Sequence, residues 1–106
     1  MGKQKNDLIG ELKDFKGKIS KTMPIEKLIF FGSRAYGHPH RDSDVDLMVV
    51  SKIFSNQNTL KRAPSLYLTW NLDYPVDFLC YTPEEFRRLK GKSSFIREIA
   101  DKGIQI

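Results

Sequence analysis

The residues best suited to chemistry are two aspartates separated by one valine, Asp44-Val45-Asp46, at the start of an apolar segment. Side chains alternate between the two faces of a β-strand, so a strand here places both carboxylates on one face. Val45, Leu47 and Val49 then point into a core. Neighbouring carboxylates repel each other and lose hydration in apolar surroundings, and a bound divalent cation compensates for both effects. Oxygen ligands of this kind favour Mg²⁺ or Mn²⁺.

A third aspartate, Asp77, lies near the start of a later apolar segment, Pro75–Tyr81. If that segment forms a strand beside Asp44–Val50, Asp77 joins the other two carboxylates on the same face. Three carboxylates can hold two metal ions about 3.5–4 Å apart, an arrangement that supports in-line displacement at phosphorus. Each aspartate alone could be a solvated strand end, but their joint placement at the starts of two strands favours a functional site.

The dipeptide Gly32-Ser33 follows an apolar segment and precedes a short helical pattern. A glycine between a strand and a helical turn lets the backbone approach a phosphate closely, and the N–H groups that follow can bind an anion. Ser33 adds a hydroxyl, and Arg34 adds a permanent positive charge that is a candidate phosphate contact. A Gly-Ser pair alone is usually only a turn.

Hydrophobic periodicity predicts the elements that would position these residues. The first helix starts at Asp7 and buries Leu8, Leu12, Phe15 and Ile19, and Thr82-Pro83-Glu84-Glu85 starts another helix with a capping box. The remaining predicted elements are a strand at Glu26–Phe31, a helical turn closed by Gly37, strands at Asp44–Val50 and Pro75–Tyr81, and a helix at Ser94–Lys102 ended by Gly103. This order predicts an α/β (α+β) fold in which helices pack on a small mixed sheet.

The segment Asn56–Leu72 gives an ambiguous pattern. Leu60, Tyr67 and Trp70 fit one face of a helix, whereas Leu66, Leu68, Trp70 and Leu72 alternate as in a strand. We predict a helix, because parallel strands need a crossover connection. Pro64 would kink that helix or begin a second one. Tyr67 and Trp70 are expected in the core.

With these residues in place, the chain resembles the DNA polymerase β-type nucleotidyltransferase superfamily. The superfamily motif is Gly-Ser, ten residues, Asp-x-Asp and a later acidic residue, and here Gly32-Ser33, the ten residues 34–43, Asp44-Val45-Asp46 and Asp77 match it. The similarity extends through Gly37, Ser43, Leu47, Thr82–Phe86, Phe95, Ile96 and Gly103. It therefore covers nearly the whole chain and is closest to the stand-alone minimal nucleotidyltransferases.

The resemblance implies a polymerase β-like nucleotidyltransferase fold with a defined set of roles. Asp44 and Asp46 would bind two Mg²⁺ ions, and Asp77 would bind the catalytic ion and help to deprotonate the acceptor hydroxyl. Gly32 and Ser33 would hold the β- and γ-phosphates of ATP. Minimal members often pair with a HEPN-domain toxin and act as its antitoxin, which implies transfer of AMP to a tyrosine of that partner.

Two other functions stay open. The acceptor could be a nucleic-acid 3′ end, although larger relatives use additional domains to hold such a strand. Alternatively, the chain could bind nucleotide without catalysis and neutralise its partner by covering it. A homo-oligomer is also compatible with the sequence.

The composition bounds these hypotheses. The 106 residues fit a single nucleotidyltransferase domain over 1–106, and the net charge of +5 favours anionic partners. The polar N-terminus and the single cysteine, Cys80, which is expected to be buried, predict a cytoplasmic protein without a membrane span. His38 and His40 are expected to be ordinary loop residues, and Arg41 is a candidate for a phosphate or partner contact.

Overall fold

The computed structural model describes residues 5–38 and 43–106. Its helices are α1 (Lys5–Ile19), α2 (Ser33–Tyr36), α3 (Pro64–Thr69), α4 (Pro83–Lys92) and α5 (Ser94–Lys102), and its strands are β1 (Lys27–Phe31), β2 (Val45–Val50), β3 (Val76–Tyr81) and β4 (Ile104–Gln105). Two short 3₁₀ helices, Lys52–Asn56 and Thr59–Lys61, lie between β2 and α3.

The strands form one mixed sheet in the order β3-β2-β1-β4. β1 is antiparallel to both β2 and β4, whereas β2 and β3 are parallel. The predicted fold class, a small mixed sheet flanked by helices, is confirmed. Strand β4 was not predicted, because a strand of two residues carries no periodicity of its own. It exists through its pairing with β1, where Phe30 lies opposite Ile104.

Both faces of the sheet are covered by apolar packing. On one face, alternate strand residues such as Phe30 and Leu47 pack against α1, whose Leu12 is fully buried. On the other face, residues such as Met48 pack against α4 and α5, and Ile99 is fully buried there. Because strand side chains alternate, Asp46 leaves β2 on the same face as Met48. The predicted burial of Leu8, Leu12, Phe15, Ile19, Val45, Leu47 and Val49 is confirmed.

The crossover between β2 and β3 is less helical than predicted. A single helix over Asn56–Leu72 is wrong, because the segment contains one 3₁₀ turn and the six-residue α3. Pro64 is at the first position of α3, where its missing N–H is tolerated, so it begins a helix instead of kinking one.

The predicted apolar face of this crossover also needs correction. Leu60 is 87% exposed and Tyr67 is 44% exposed, so neither is a core residue. Leu66 is fully buried, and Trp70 is half-buried with its ring 5.1 Å from that of Phe15 in an edge-on contact. Of the residues of α3, Leu66 is the buried one.

A buried arginine joins the crossover to the rest of the fold. Arg62 is 6% exposed, and its guanidinium donates to both carboxylate oxygens of Glu85, at 2.7 and 3.3 Å. It also donates to the carbonyl oxygens of Cys80 and Gln57, each at 3.2 Å. Glu85 in turn completes the predicted capping box with Thr82, which is confirmed. One side chain therefore ties together the crossover, the edge strand β3 and the start of α4.

The sequence predicted no membrane-spanning segment. Within residues 5–38 and 43–106, no helix has both the length and the apolar character needed to cross a bilayer.

Candidate active site

The sheet brings the predicted aspartates together at one end of its strands, near the starts of β2 and β3. Asp46 and Asp77 are paired positions on the parallel strands β2 and β3, so their side chains leave the same face of the sheet. Asp44 lies just before β2, close enough to Asp77 to raise the pKa of the Asp77 carboxyl. The expectation that the third aspartate lies beside the first two thus agrees with the register of the strands.

The electrostatics of these carboxylates reflect their crowding. Burial, reinforced by the charges of Asp77 and Asp44, raises the pKa of Asp46 to about 6. The pKa of Asp77 is also raised, first by partial desolvation, then by a hydrogen bond that its protonated form can donate to Asp44 and by the charge of Asp44. In the absence of a cation, the fold thus keeps these carboxylates close together and partly desolvated, and both effects disfavour their charged forms. Such a set of groups gains from any ligand that supplies positive charge.

Gly32 connects these carboxylates to the predicted phosphate turn. Its backbone has φ +85° and ψ −167°, a conformation that is essentially restricted to glycine. A Cβ at this position would overlap the Asp46 Oδ2 atom and lie 3.0 Å from the Asp46 Cγ atom. The backbone of Gly32 therefore packs directly against the Asp46 carboxylate, and no other amino acid fits without moving it.

Helix α2 starts beside this contact. It begins at Ser33 and ends after one turn, where the N–H of Gly37 donates to the carbonyl oxygen of Ser33 at 2.9 Å. The first hydrogen bond of this turn runs from the N–H of Ala35 to the carbonyl oxygen of Gly32. The N–H of Ser33 lies before this bond and is not part of the helix's own hydrogen-bond pattern. One turn generates little macrodipole, so an anion here would depend mainly on direct contacts with N–H and hydroxyl groups.

These residues line an open cleft of about 520 Å³. Gly32, Ser33, Asp46 and Asp77 form one polar part of it, and Glu98 adds a carboxylate from α5. Apolar and aromatic side chains form most of the remaining wall, with contributions from Phe31, Tyr36, Phe78, Leu79 and Phe95. The volume falls within the range of about 300–1,000 Å³ that is typical of small-molecule sites.

Arg34 contacts the segments that precede Asp44 and Asp77 and is not part of the described cleft lining. Its Nε donates to the carbonyl oxygen of Ser43 at 2.7 Å, and its guanidinium carbon lies 4.7 Å from the centre of the Tyr74 ring. It is absent from the described lining of the cleft. Arg34 thus contacts the residue that precedes Asp44 and the segment that leads into Asp77. Its role as a phosphate contact stays a prediction, and the observed contacts are those of a side chain that positions the aspartates.

The donor set suits a hard divalent cation, because every candidate ligand is a carboxylate oxygen. Among the described residues, however, no three acidic, histidine or cysteine side chains are already gathered into a metal site. Coordination by Asp44, Asp46 and Asp77 would require these three carboxylates to converge on a common cation. Of the other candidates, His40 and Arg41 lie outside the described residues, and His38 is exposed.

Sequence reasoning did not assign a site role to Tyr36, Phe95 or Glu98, which also line the cleft. Phe95 and Glu98 are on α5, far from the aspartates in sequence, and only the packing of α5 on β1 brings them near. The one local signal is that Phe95 precedes the buried Ile96 and therefore falls outside the apolar stripe of its helix.

Comparison with known proteins identifies a family and a relative of this chain. A family model described as "Nucleotidyltransferase domain" matches residues 11–106. The chain is 26% identical over 102 residues to a Methanocaldococcus jannaschii protein named "Putative protein adenylyltransferase", and the match covers 94% of this chain and 99% of that protein.

Two solved structures share the fold. A "putative nucleotidyltransferase" from Sulfolobus solfataricus has a TM-score of 0.68 at 21% identity, covering 99% of this chain and 89% of that one. Another "putative nucleotidyltransferase" has a TM-score of 0.56 at 24% identity, covering 92% of this chain and 96% of that one. The family match spans nearly the entire chain, which therefore belongs to the nucleotidyltransferase domain family.

Proposed function

We propose that this nucleotidyltransferase transfers AMP from ATP to a hydroxyl group of a partner protein, in a reaction that depends on Mg²⁺. The observation that carries the proposal is the contact of Gly32 with Asp46, because it fixes the phosphate turn against the carboxylates. Asp77 stands in register with Asp46 on the neighbouring strand. A triphosphate bound at the turn would therefore have its reacting phosphorus near carboxylates on two strands.

The chain's residues have distinct roles in this proposal. Gly32 and Ser33 bind the β- and γ-phosphates through the backbone and the serine hydroxyl. Asp44, Asp46 and Asp77 would hold Mg²⁺, which when bound neutralises the phosphates and lowers the pKa of the acceptor hydroxyl. Asp77 orients that hydroxyl and accepts its proton.

The transfer itself is a displacement at the α-phosphorus. The acceptor oxygen forms a bond to that phosphorus, and the bond from phosphorus to the bridging oxygen of the β-phosphate breaks. Pyrophosphate leaves, and AMP stays on the acceptor. No residue of the chain needs to become covalently modified.

A protein acceptor is supported by the name of the Methanocaldococcus jannaschii relative. The resemblance to minimal nucleotidyltransferases further points to a tyrosine of a HEPN toxin, so that the chain acts as an antitoxin. A nucleic-acid 3′ end is the second candidate, because the net charge of +5 favours a polyanion. The two acceptors give different labelled products from the same labelled ATP.

Labelling with α-³²P-ATP tests the proposal. A purified HEPN partner is expected to acquire label in the presence of Mg²⁺ and the chain, whereas γ-³²P-ATP should give none. Asp77→Asn should reduce the rate by about 10²–10³-fold while nucleotide affinity changes little, because a positioned charge typically contributes that much. Asp73→Asn, a change at an exposed aspartate outside the cleft lining, is the matched control.

Two outcomes would contradict this assignment. Transfer by Asp77→Asn at the wild-type rate would remove Asp77 from the site. Rapid extension of an RNA or DNA 3′ end by the chain alone, with no label on protein, would identify a nucleic acid as the acceptor.

A further inference from the structure

We propose that the aromatic wall formed by Phe31, Tyr36 and Phe95 is the nucleobase subsite of the cleft, with Phe95 as the side chain on which the base stacks. This inference rests on the proposed function, because it concerns the nucleoside end of the same triphosphate. It goes further by stating which end of the cleft recognises the base and by which interaction.

The exposure of Phe95 is the first observation. Its side chain is 54% exposed, although its neighbours Ile96 and Ile99 on α5 are 3% and 0% exposed. The ring is nevertheless held, because it meets the ring of Phe31 edge-on, with centroids 6.1 Å apart and an interplanar angle of 79°. A large aromatic ring that is supported on one side and lines the cleft on another is suited to stacking.

The continuity of the wall with the carboxylates is the second observation. Phe31, Asp46 and Asp77 are paired positions on three adjacent strands, so they form one row across the same face of the sheet. Phe95 rests on the first member of this row, and Gly32 packs against the second. The aromatic and polar parts of the cleft are therefore adjacent, as a ligand with a flat apolar end and an anionic end requires.

The lining on the α5 side sets the orientation of that ligand. Glu98 lines the cleft from α5, where its carboxylate pairs with Lys102 at 3.3 Å, and the described lining contains no lysine or arginine that could bind a phosphate on this side. Ser33 and the backbone of Gly32 offer hydrogen-bond donors instead. Tyr36, 39% exposed at the end of α2, adds another aromatic ring to the lining. The uncharged base therefore belongs at Phe95, and the phosphates belong at the turn.

Comparing two ligands that differ only in the nucleoside tests this subsite. Isothermal titration calorimetry would measure the binding of Mg²⁺·ATP and of Mg²⁺·tripolyphosphate, which has no base. Phe95→Ala is expected to weaken ATP binding about 5–150-fold, the loss that corresponds to one stacked base. Its affinity for tripolyphosphate should stay within about twofold of wild type, well below the effect of one stacked base. Phe95→Tyr should retain ATP affinity, and Leu60→Ala, at another exposed apolar side chain, is the matched control.

Each contrary outcome has a distinct meaning. Unchanged ATP affinity in Phe95→Ala, or an equal loss for ATP and tripolyphosphate, overturns the nucleobase subsite. If Phe95→Ala keeps its ATP affinity but raises the KM for the acceptor, the wall receives the acceptor instead. Either result leaves the proposed function standing provided that Asp44→Ala plus Asp46→Ala abolishes ATP binding. A wild-type chain that binds neither ligand refutes both proposals.

Discussion

Replacing Gly32 with alanine tests the contact on which the candidate site depends. The new Cβ would enter the space of the Asp46 carboxylate, and the backbone would have to keep φ +85° with a side chain attached. A residue forced into such a conformation typically costs about 1–3 kcal/mol. Overpacking against a neighbour adds about 1–3 kcal/mol. Gly32→Ala should therefore lower the free energy of unfolding by roughly 2–6 kcal/mol.

Urea denaturation at neutral pH without Mg²⁺ measures this change. Gly17→Ala is the matched control, because a Cβ at Gly17 meets nothing within 4 Å and the residue is inside α1. That substitution should stabilise the chain by about 0.5–1 kcal/mol, since alanine is the better helix former. The two alanines are thus expected to act in opposite directions.

A double-mutant cycle separates backbone strain from the clash with Asp46. In an Asp46→Ala background the Cγ and Oδ2 atoms are gone and only the tight contact with the Cβ of residue 46, at 3.2 Å, is left. Gly32→Ala should then cost mainly the strain, about 1–3 kcal/mol. An equal cost of Gly32→Ala in both backgrounds would refute the packing of Gly32 on the carboxylate. So would a Gly32→Ala variant as stable as wild type.

Three further predictions concern stability and reactivity. Asp46→Asn should stabilise the metal-free chain by about 1–2 kcal/mol at pH 7 after allowance for solvent screening, because a folded pKa of about 6 exceeds the ordinary value of 3.8. Urea unfolding should show this gain above about pH 6 and lose it near pH 4, where the unfolded chain also binds the proton. Arg62→Ala should cost about 3–5 kcal/mol at pH 7, unlike Arg88→Ala at an exposed site. Because Arg62 lowers the pKa of Glu85, this cost should shrink in unfolding curves below about pH 4, as Glu85 is protonated. Burial raises the pKa of Cys80 to about 11, so a thiol reagent at pH 8 should react fully only after unfolding, and rapid labelling of native protein would contradict this.

The parts of the fold that sequence predicted are those with strong local signals. The apolar stripe of α1, the capping box at Thr82 and Glu85, and the strand that carries Asp46 all follow from neighbouring residues. Gly32 could be placed at a turn, but its contact with Asp46 depends on the pairing of β1 with β2. The motif therefore located the polar part of the cleft without revealing its packing.

The features that escaped prediction depend on residues far apart in the chain. Strand β4 exists only because β1 offers it an edge, and Phe95 reaches the cleft only because α5 packs across the sheet. Arg34 stands next to Ser33 in the motif, yet its guanidinium turns to the carbonyl of Ser43 and the ring of Tyr74. The direction of a long side chain is decided by such tertiary partners, and local sequence does not contain them.

The interactions of Arg62 have a consequence for the order in which the chain folds and unfolds. Its partners Cys80 and Glu85 lie 18 and 23 residues further along the chain, so their contacts require closure of the loop that contains the crossover. We expect these contacts to form after the folding transition state, so losing Arg62 should accelerate unfolding more than it slows folding. Stopped-flow chevrons of Arg62→Ala would show a φ-value near 0, whereas a value near 1 would place the arginine in the folding nucleus. The same side chain would then determine how long the native state persists before it opens.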